Sequence, residues 1–286
     1  MQDSLARGQT AVWRKRTCSV LASLYLALIF LAPAVLIAVA TRSQFWTALI
    51  EFCAVPIAFL LTAGLLAQLH CRKIVEGRFP LDTGHPSYFH RRLYGLCWTC
   101  VYYSGPIYYL VLSIPLLKKL VFRLFGYRGN LNFTVYPDTW LRDLPLLEIG
   151  EGAYLSNKAT IGTNMIFFRN GQKIIEVGRI SLWSRSLVGH LTVIGPGTTV
   201  GSNAQIGVVC GIGRRVSIGD NVVIGDDVTL DHGAKIESGV LIPTRSYIAG
   251  GVTVGKSDSL TRGQVVTRKS KHAIIPRVEE LVSTLS

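Results

Sequence analysis

Every sixth residue from Leu182 to Leu260 is aliphatic: Leu182, Val188, Ile194, Val200, Ile206, Ile212, Ile218, Ile224, Leu230, Ile236, Ile242, Ile248, Val254 and Leu260. Glycine follows this position at 189, 195, 201, 207, 213, 219, 225 and 255. The residue four places after it is small or β-branched, from Ser186 and Thr192 to Ser246 and Val252. The pattern also opens at Ile149, Leu155 and Ile161, with Gly150 and Gly162 behind. A period of six is neither the roughly 3.6 of a helix nor the roughly 2 of an amphipathic strand, so the backbone must turn a corner every six residues. Three hexads close one triangular turn of about 18 residues, stacked at the inter-strand spacing of roughly 4.8 Å. The prediction is a mainly β chain whose residues 147–262 form a parallel β-helix. The step from Ile161 to Leu182 is not a whole number of hexads, so an excursion is expected at Thr163–Ile180.

Upstream the pattern changes to long apolar runs. Thr17 to Thr41 is free of charge, and so is Phe52 to Leu69, each run long enough to cross a hydrocarbon layer as a helix. This predicts a transmembrane helical hairpin at 1–76, with spans at about 17–41 and 46–69. Arg7, Arg14, Lys15 and Arg16 precede the first run and Arg72, Lys73 and Arg78 follow the second. Both ends of the hairpin, and the domain that follows, are therefore expected on the cytoplasmic side of an integral membrane protein. A third uncharged run, Leu93–Leu117, contains Gly105, Pro106 and Pro115 and is flanked by Arg91, Arg92, Lys118 and Lys119. It reads as the re-entrant or interfacial part of a segment at 77–146, its five tyrosines suiting the headgroup level. If it crosses instead, the β-helix lies outside the cytoplasm. In the tail at 263–286, Val278, Leu281, Val282 and Leu285 have the spacing of an amphipathic helix that caps the open end of the coil.

Of 286 residues, 49% are hydrophobic and 16% charged, and the apolar excess sits in the runs just described. The net charge of +13 invites a nucleic-acid reading. Its charges cluster beside apolar segments with no nucleic-acid motif among them, which points to lipid headgroups and away from nucleic acid. The six cysteines form no spaced framework, and Cys97 and Cys100, a CxxC inside an apolar run, have no second pair to complete a zinc site.

The segments IGEGAYLSNKATIG, IGPGTTVGSNAQIG and VSIGDNVVIGDDV resemble the hexapeptide-repeat transferase superfamily over about Leu147–Leu260. The resemblance implies a left-handed coil, assembly as a homotrimer, and transfer of an acyl group from acyl-CoA or acyl carrier protein to sugars, amines or lipids. The superfamily also holds sugar nucleotidyltransferase domains, γ-class carbonic anhydrases and non-catalytic members. A second similarity runs from Gly77 to Gly207. The order GRFPL, LFGYRGN, LEIGEGAYLSNKATIGTN and VGHLTVIGPGTTVGSNAQIGV resembles the membrane-embedded C-terminal modules of ε-poly-lysine-synthetase-type nonribosomal peptide synthetases. Those modules tend to carry a Thr-His step where this chain has Thr163-Asn164, so no histidine role is carried over there.

Metal-free transferases of this kind use a histidine that takes the acceptor's proton as it attacks the thioester. Only His190 and His232 lie within the repeat, each two residues past an aliphatic position, at a corner. LDHGAKI, around His232, is similar to the pattern around the catalytic histidine of lipid A acyltransferases, with Gly233 in place of the expected acid. Asp231 or Asp227 is the candidate to orient the ring. The two histidines are separated by two turns plus one corner, so they compete for one role. Two isolated histidines do not make the three-histidine zinc site of a carbonic anhydrase. No metal and no bound cofactor are expected; acetyl-CoA or another acyl-CoA is the co-substrate. The resemblance implies that Lys256, Arg262 and Lys269, with Arg268 and Lys271, supply charge for its phosphates; a solvated or lipid-facing tail is the equal alternative. The expected function is a membrane-bound acyltransferase with a hydroxyl or amine acceptor, a sugar or a natural product, and membrane lipid as a partner. The alternative is a non-catalytic membrane-anchored scaffold or accessory module.

Overall fold

The computed structural model describes residues 2–40 and 45–267, with side chains described for 10–33, 35 and 54–267. The expected capping helix at 273–286 lies outside the described residues. The chain forms a helical unit (Met1–Tyr127, Asp143–Pro145, Ile166–Ile175) and a coil unit (Arg128–Arg142, Leu146–Met165, Glu176–Ser286).

In the helical unit the two long apolar runs are helices α1 (Gln2–Ala40) and α2 (Phe45–Cys71). Among the described residues they are the two helices long and apolar enough to cross a membrane, over Thr10–Pro33 and Ala54–Cys71. Leu24, Leu28, Leu31 and Val35 on α1, and Ile57, Leu61, Leu65 and Leu69 on α2, are exposed. At this spacing each set forms one apolar stripe turned outward, away from the unit's interior. The third run is broken into α3 (Pro86–Tyr103), α4 (Gly105–Ser113) and α5 (Pro115–Leu124). Pro86, Pro106 and Pro115 sit in the first turns, where a missing N–H costs nothing and the fixed φ suits a helix start. Trp98 fills the centre, edge-on to Tyr108, Phe122 and Phe125. Arg91 donates from Nε and Nη2 to Oδ2 of Asp143 at 2.8 and 2.6 Å, an ion pair that is almost wholly buried. Cys97 is buried. The strand Gly77–Pro80 joins the hairpin Asn164–Arg169 and Gln172–Val177 in a three-stranded sheet. That hairpin is the excursion that interrupts the repeat.

The coil unit is a β-solenoid of about seven turns, its three parallel sheets holding six, seven and six strands. The first face runs from Thr134–Val135 to Leu241–Ile242, the second from Trp140–Leu141 to Val265–Val266, and the third from Leu147–Ile149 to Thr253–Val254. Throughout the main body each strand pairs with the strand three hexads on, as in Val188 on Ile206 and Ile206 on Ile224. The aliphatic column is the core: Val188, Ile194, Val200 and Ile206 are all fully buried. In the small-residue column, Thr192 donates to the Gly207 carbonyl at 2.8 Å and accepts from the Cys210 N–H at 3.0 Å, tying successive turns together. The coil begins ahead of the expected Leu147, because Val135 and Leu141 already pair with Leu155 and Ile161.

Glycine serves two different needs. At the position after the aliphatic residue it leaves room for the next turn: a Cβ on Gly201 would stand 2.4 Å from the Gly219 carbonyl. The left-handed backbone falls two residues later, at Asn203, Asn221, Asp227 and Gly233, but also at Leu191 (φ 57°) and Val209 (φ 58°). A left-handed φ is unusual for a bulky or β-branched residue and marks strain.

Candidate functional site

The coil's corners hold the polar side chains, and the stacking of one turn on the next decides which of them share a corner. Between the second and third faces, Pro196, Arg214, His232 and Gly250 stack in one column. The His232 ring lies against Gly213, whose Cβ would meet Nδ1 at 2.5 Å, so the absent side chain makes room for the imidazole. Nδ1 accepts the backbone N–H of Arg214 at 3.2 Å. Oδ1 of Asp231 accepts the N–H of His232 at 2.6 Å and stands 3.5 Å from Nδ1. Oδ2 of Asp231 accepts the hydroxyl of Tyr247 at 3.3 Å. Burial, the Asp231 charge and that hydrogen bond push the Tyr247 phenol above its ordinary value, so it stays a donor. Of the two acids considered at the sequence level, Asp231 is therefore the neighbour of His232. Asp227 lies on the preceding corner, 3.9 Å from Arg245.

Sequence reasoning missed the acid on the same side of the coil. Glu176 is 3% exposed and accepts from Arg214 at 2.9 Å and Arg215 at 2.5 Å. A buried carboxylate requires such partners. Its signal was a lone acid in the otherwise apolar stretch IIEV. Arg215, more than half exposed, presents the rest of its guanidinium outward.

His190 is on the corner between the first and second faces, exposed, and no described residue hydrogen-bonds its side chain. Its carbonyl accepts the Val209 N–H at 2.8 Å, beside the strained Leu191 and Val209. Arg262 lies on that same corner four turns later, roughly 19 Å along the axis. Lys256 is on the third corner, against Gly239. Lys269 lies outside the described residues. Within one chain, then, the expected candidates are spread over all three corners, and His232 is joined by Asp231 and Arg214 instead of Lys256 or Arg262.

An open groove of about 490 Å³ lies at the early turns, lined in part by Asn130, Glu148, Glu151, Trp183 and Ser184. None of the expected residues lines it. Glu148 is engaged by Arg179 at 2.7 Å and Ser181 at 3.0 Å, and Glu151 by Asn132 at 2.9 Å. Two carboxylates give it the wrong sign for a polyphosphate. Cys210 is buried, and burial pushes its thiol up, away from the thiolate a nucleophile needs.

The neutral His232 ring has two arrangements open to it. With the Arg214 N–H on Nδ1, Nε2 carries the proton and the ring is a donor. If Nδ1 carries the proton and turns it to Asp231, Nε2 has a free lone pair and the ring is a base.

No family model and no curated protein sequence matches the chain. Among solved structures it is similar to a UDP-N-acetylglucosamine acyltransferase from Bacteroides fragilis, at 16% identity over 49% of this chain, with a TM-score of 0.27. A point mutant of perosamine N-acetyltransferase from Caulobacter crescentus, solved with CoA and GDP-perosamine, gives 20% identity over 55% of this chain and a TM-score of 0.20. The Arabidopsis UDP-N-acetylglucosamine acyltransferase gives 14% identity over 50% and a TM-score of 0.24. The chain spans 59% of the length of each of these three.

Proposed function

We propose that this chain is a membrane-bound hexapeptide-repeat acyltransferase, which moves an acetyl or other acyl group from acyl-CoA, or from acyl carrier protein, to a hydroxyl or amine at the membrane surface. The observation that carries the reading is the His232 corner: an imidazole with a carboxylate beside Nδ1, on a rigid coil whose sequence resembles that superfamily. In the base form of the ring, Nε2 takes the proton of the acceptor as its oxygen or nitrogen attacks the thioester carbonyl. The C–S bond then breaks and the proton passes to the departing thiolate, so the ring returns to its starting state. Arg214 and Arg215 bring positive charge to this corner, and Arg215 is the one exposed enough to meet a CoA phosphate. Lys256, Arg262 and Lys269 belong to this reading through a neighbouring chain of the homotrimer that the resemblance implies.

The membrane part of the proposal rests on the outward apolar stripes of α1 and α2 and on their basic flanks. It agrees with the resemblance to membrane-embedded synthetase modules, and it sets the coil on the cytoplasmic side. The test is the tautomer. Nitrogen-15 NMR of the histidine-labelled full chain in detergent reads which ring nitrogen of His232 is protonated. With an unreactive acyl-CoA analogue added, the proton is expected on Nδ1, and Asp231→Asn is expected to leave it on Nε2. A wild-type ring that keeps its proton on Nε2 with the analogue bound refutes the base assignment.

A further inference from the structure

The helical unit contains a hydrogen-bonded chain of three titratable side chains, one from each of α1, α2 and α3. The Tyr25 hydroxyl is 3.0 Å from Nε2 of His70, and Nδ1 of His70 is 3.0 Å from Nδ1 of His90. Tyr25 and His70 are buried, while His90 is half-buried. Between two imidazole nitrogens at this distance one must donate and the other accept, so the pair cannot hold both protons of two imidazolium rings there. His90 is thus fixed through Nδ1, and Nε2 is its free ring atom.

The charges that act on His90 are both positive. Burial first, then Lys73 and Arg14, hold its imidazole below the ordinary histidine value. Among the described residues no carboxylate pairs with either cation, and Arg14 donates to the Gly84 carbonyl at 3.4 Å. Asp82 is taken by Lys15 at 3.0 Å, and Glu76, three residues past Lys73, is exposed. The other groups facing the chain are Cys18 on α1, with Arg92 of α3 acting on it, and Cys97 of α3 beside Tyr25. Two cations beside a desolvated imidazole are unfavourable until an anion joins them. They stand at the polar ends of the two candidate spans, with His70 one residue from the end of the second, where lipid phosphates lie.

We propose that Arg14, Lys73 and the free edge of His90 bind the phosphate of an anionic lipid headgroup, with Tyr25 and His70 holding the imidazole in place. The proposal rests on the membrane-anchored reading and adds the ligand and its residues.

The experiment follows the His90 imidazole by NMR across a pH titration, using the full chain in phosphatidylcholine nanodiscs with and without phosphatidylglycerol. The His90 midpoint is expected to rise by about one unit with the anionic lipid, as an opposite charge within hydrogen-bond reach requires. In the double variant Arg14→Gln/Lys73→Gln, at one half-buried and one exposed position, that lipid-dependent rise is expected to vanish. An equal rise in the double variant assigns the effect to surface potential and overturns the site. No rise in the wild type overturns it too. An equal rise from inorganic phosphate in pure phosphatidylcholine discs makes it a free-phosphate site and overturns the lipid assignment. A chain that does not enter nanodiscs contradicts the anchor itself, whereas one that enters without the rise contradicts this site alone.

Discussion

The claim that glycine after each aliphatic position makes room for the next turn can be tested by adding one carbon. In Gly201→Ala the new Cβ would stand 2.4 Å from the carbonyl carbon and oxygen of Gly219 and 2.5 Å from the Asp220 nitrogen, all backbone atoms. Ordinary contact begins at 3.4 Å, so the turns must part locally by about 1 Å. The hydrogen bonds from Gly201 N to Ile218 O and from Asn221 N to Ser202 O, both 2.9 Å, do not survive that opening. Two lost bonds at about 1 kcal/mol each, with an overpacking cost of about 1–3 kcal/mol, put the penalty at about 3–5 kcal/mol. Gly211→Ala is the control. Its Cβ meets nothing nearer than the Thr229 side chain at 3.8 Å, and losing a glycine from the unfolded chain favours folding by about 0.5 kcal/mol. Urea unfolding of the full chain in detergent, followed by circular dichroism, should separate the two variants in opposite directions from the wild type. Equal midpoints for the two alanine variants would refute the reasoning.

Replacing Val209, more than half exposed at φ 58°, by Asn should relieve the strain and raise stability by about 1 kcal/mol in the same unfolding assay; a fall would show that the valine is held for packing. Glu176→Gln should destabilise the coil by about 2 kcal/mol, since Arg214 and Arg215 lose the buried acid, discounted because Arg215 remains largely solvated. An unchanged unfolding midpoint would show that water already serves both guanidinium groups. The Tyr247 phenol is raised in the folded state, so the folded chain holds its proton where the unfolded chain, ionising near about 10, releases it. Its stabilising contribution is complete below that value and is lost as pH rises through the folded one. Tyr247→Phe should therefore flatten the alkaline fall in stability, and an identical fall in wild type and variant would contradict the Asp231 contact.

The main body of the coil was legible because each hexad repeats one physical requirement, an aliphatic residue for a narrow interior. The first turn was not, because the short helix Leu144–Leu146 puts Ile149 out of step with Leu141 and breaks the count of six. The roles of the corner residues were half legible. Gly201 and its equivalents were visible as a pattern, but the strain falls on Leu191 and Val209, which no hydrophobic period marks. His232 was readable as a corner residue, and its neighbour Arg214 follows from the stacking of one turn on the next. The direction of the Arg214 N–H, which favours a proton on Nε2 of His232, is a property of the folded backbone alone. Glu176 hides in an apolar strand of the excursion. Tyr25, His70 and His90 meet only when three helices pack, so their contact leaves no trace in local sequence.

The most direct test of the account is thioester transfer by the purified full chain in nanodiscs, with product formed from acetyl-CoA and a panel of amine and hydroxyl acceptors measured by mass spectrometry. Wild type and His190→Ala are expected to turn over alike, while His232→Ala loses roughly 10²- to 10⁴-fold in kcat, the share a general base contributes. Turnover that is unchanged in His232→Ala, or acetyl transfer that fails in the wild type across the panel while longer acyl-CoA donors also fail, would contradict it.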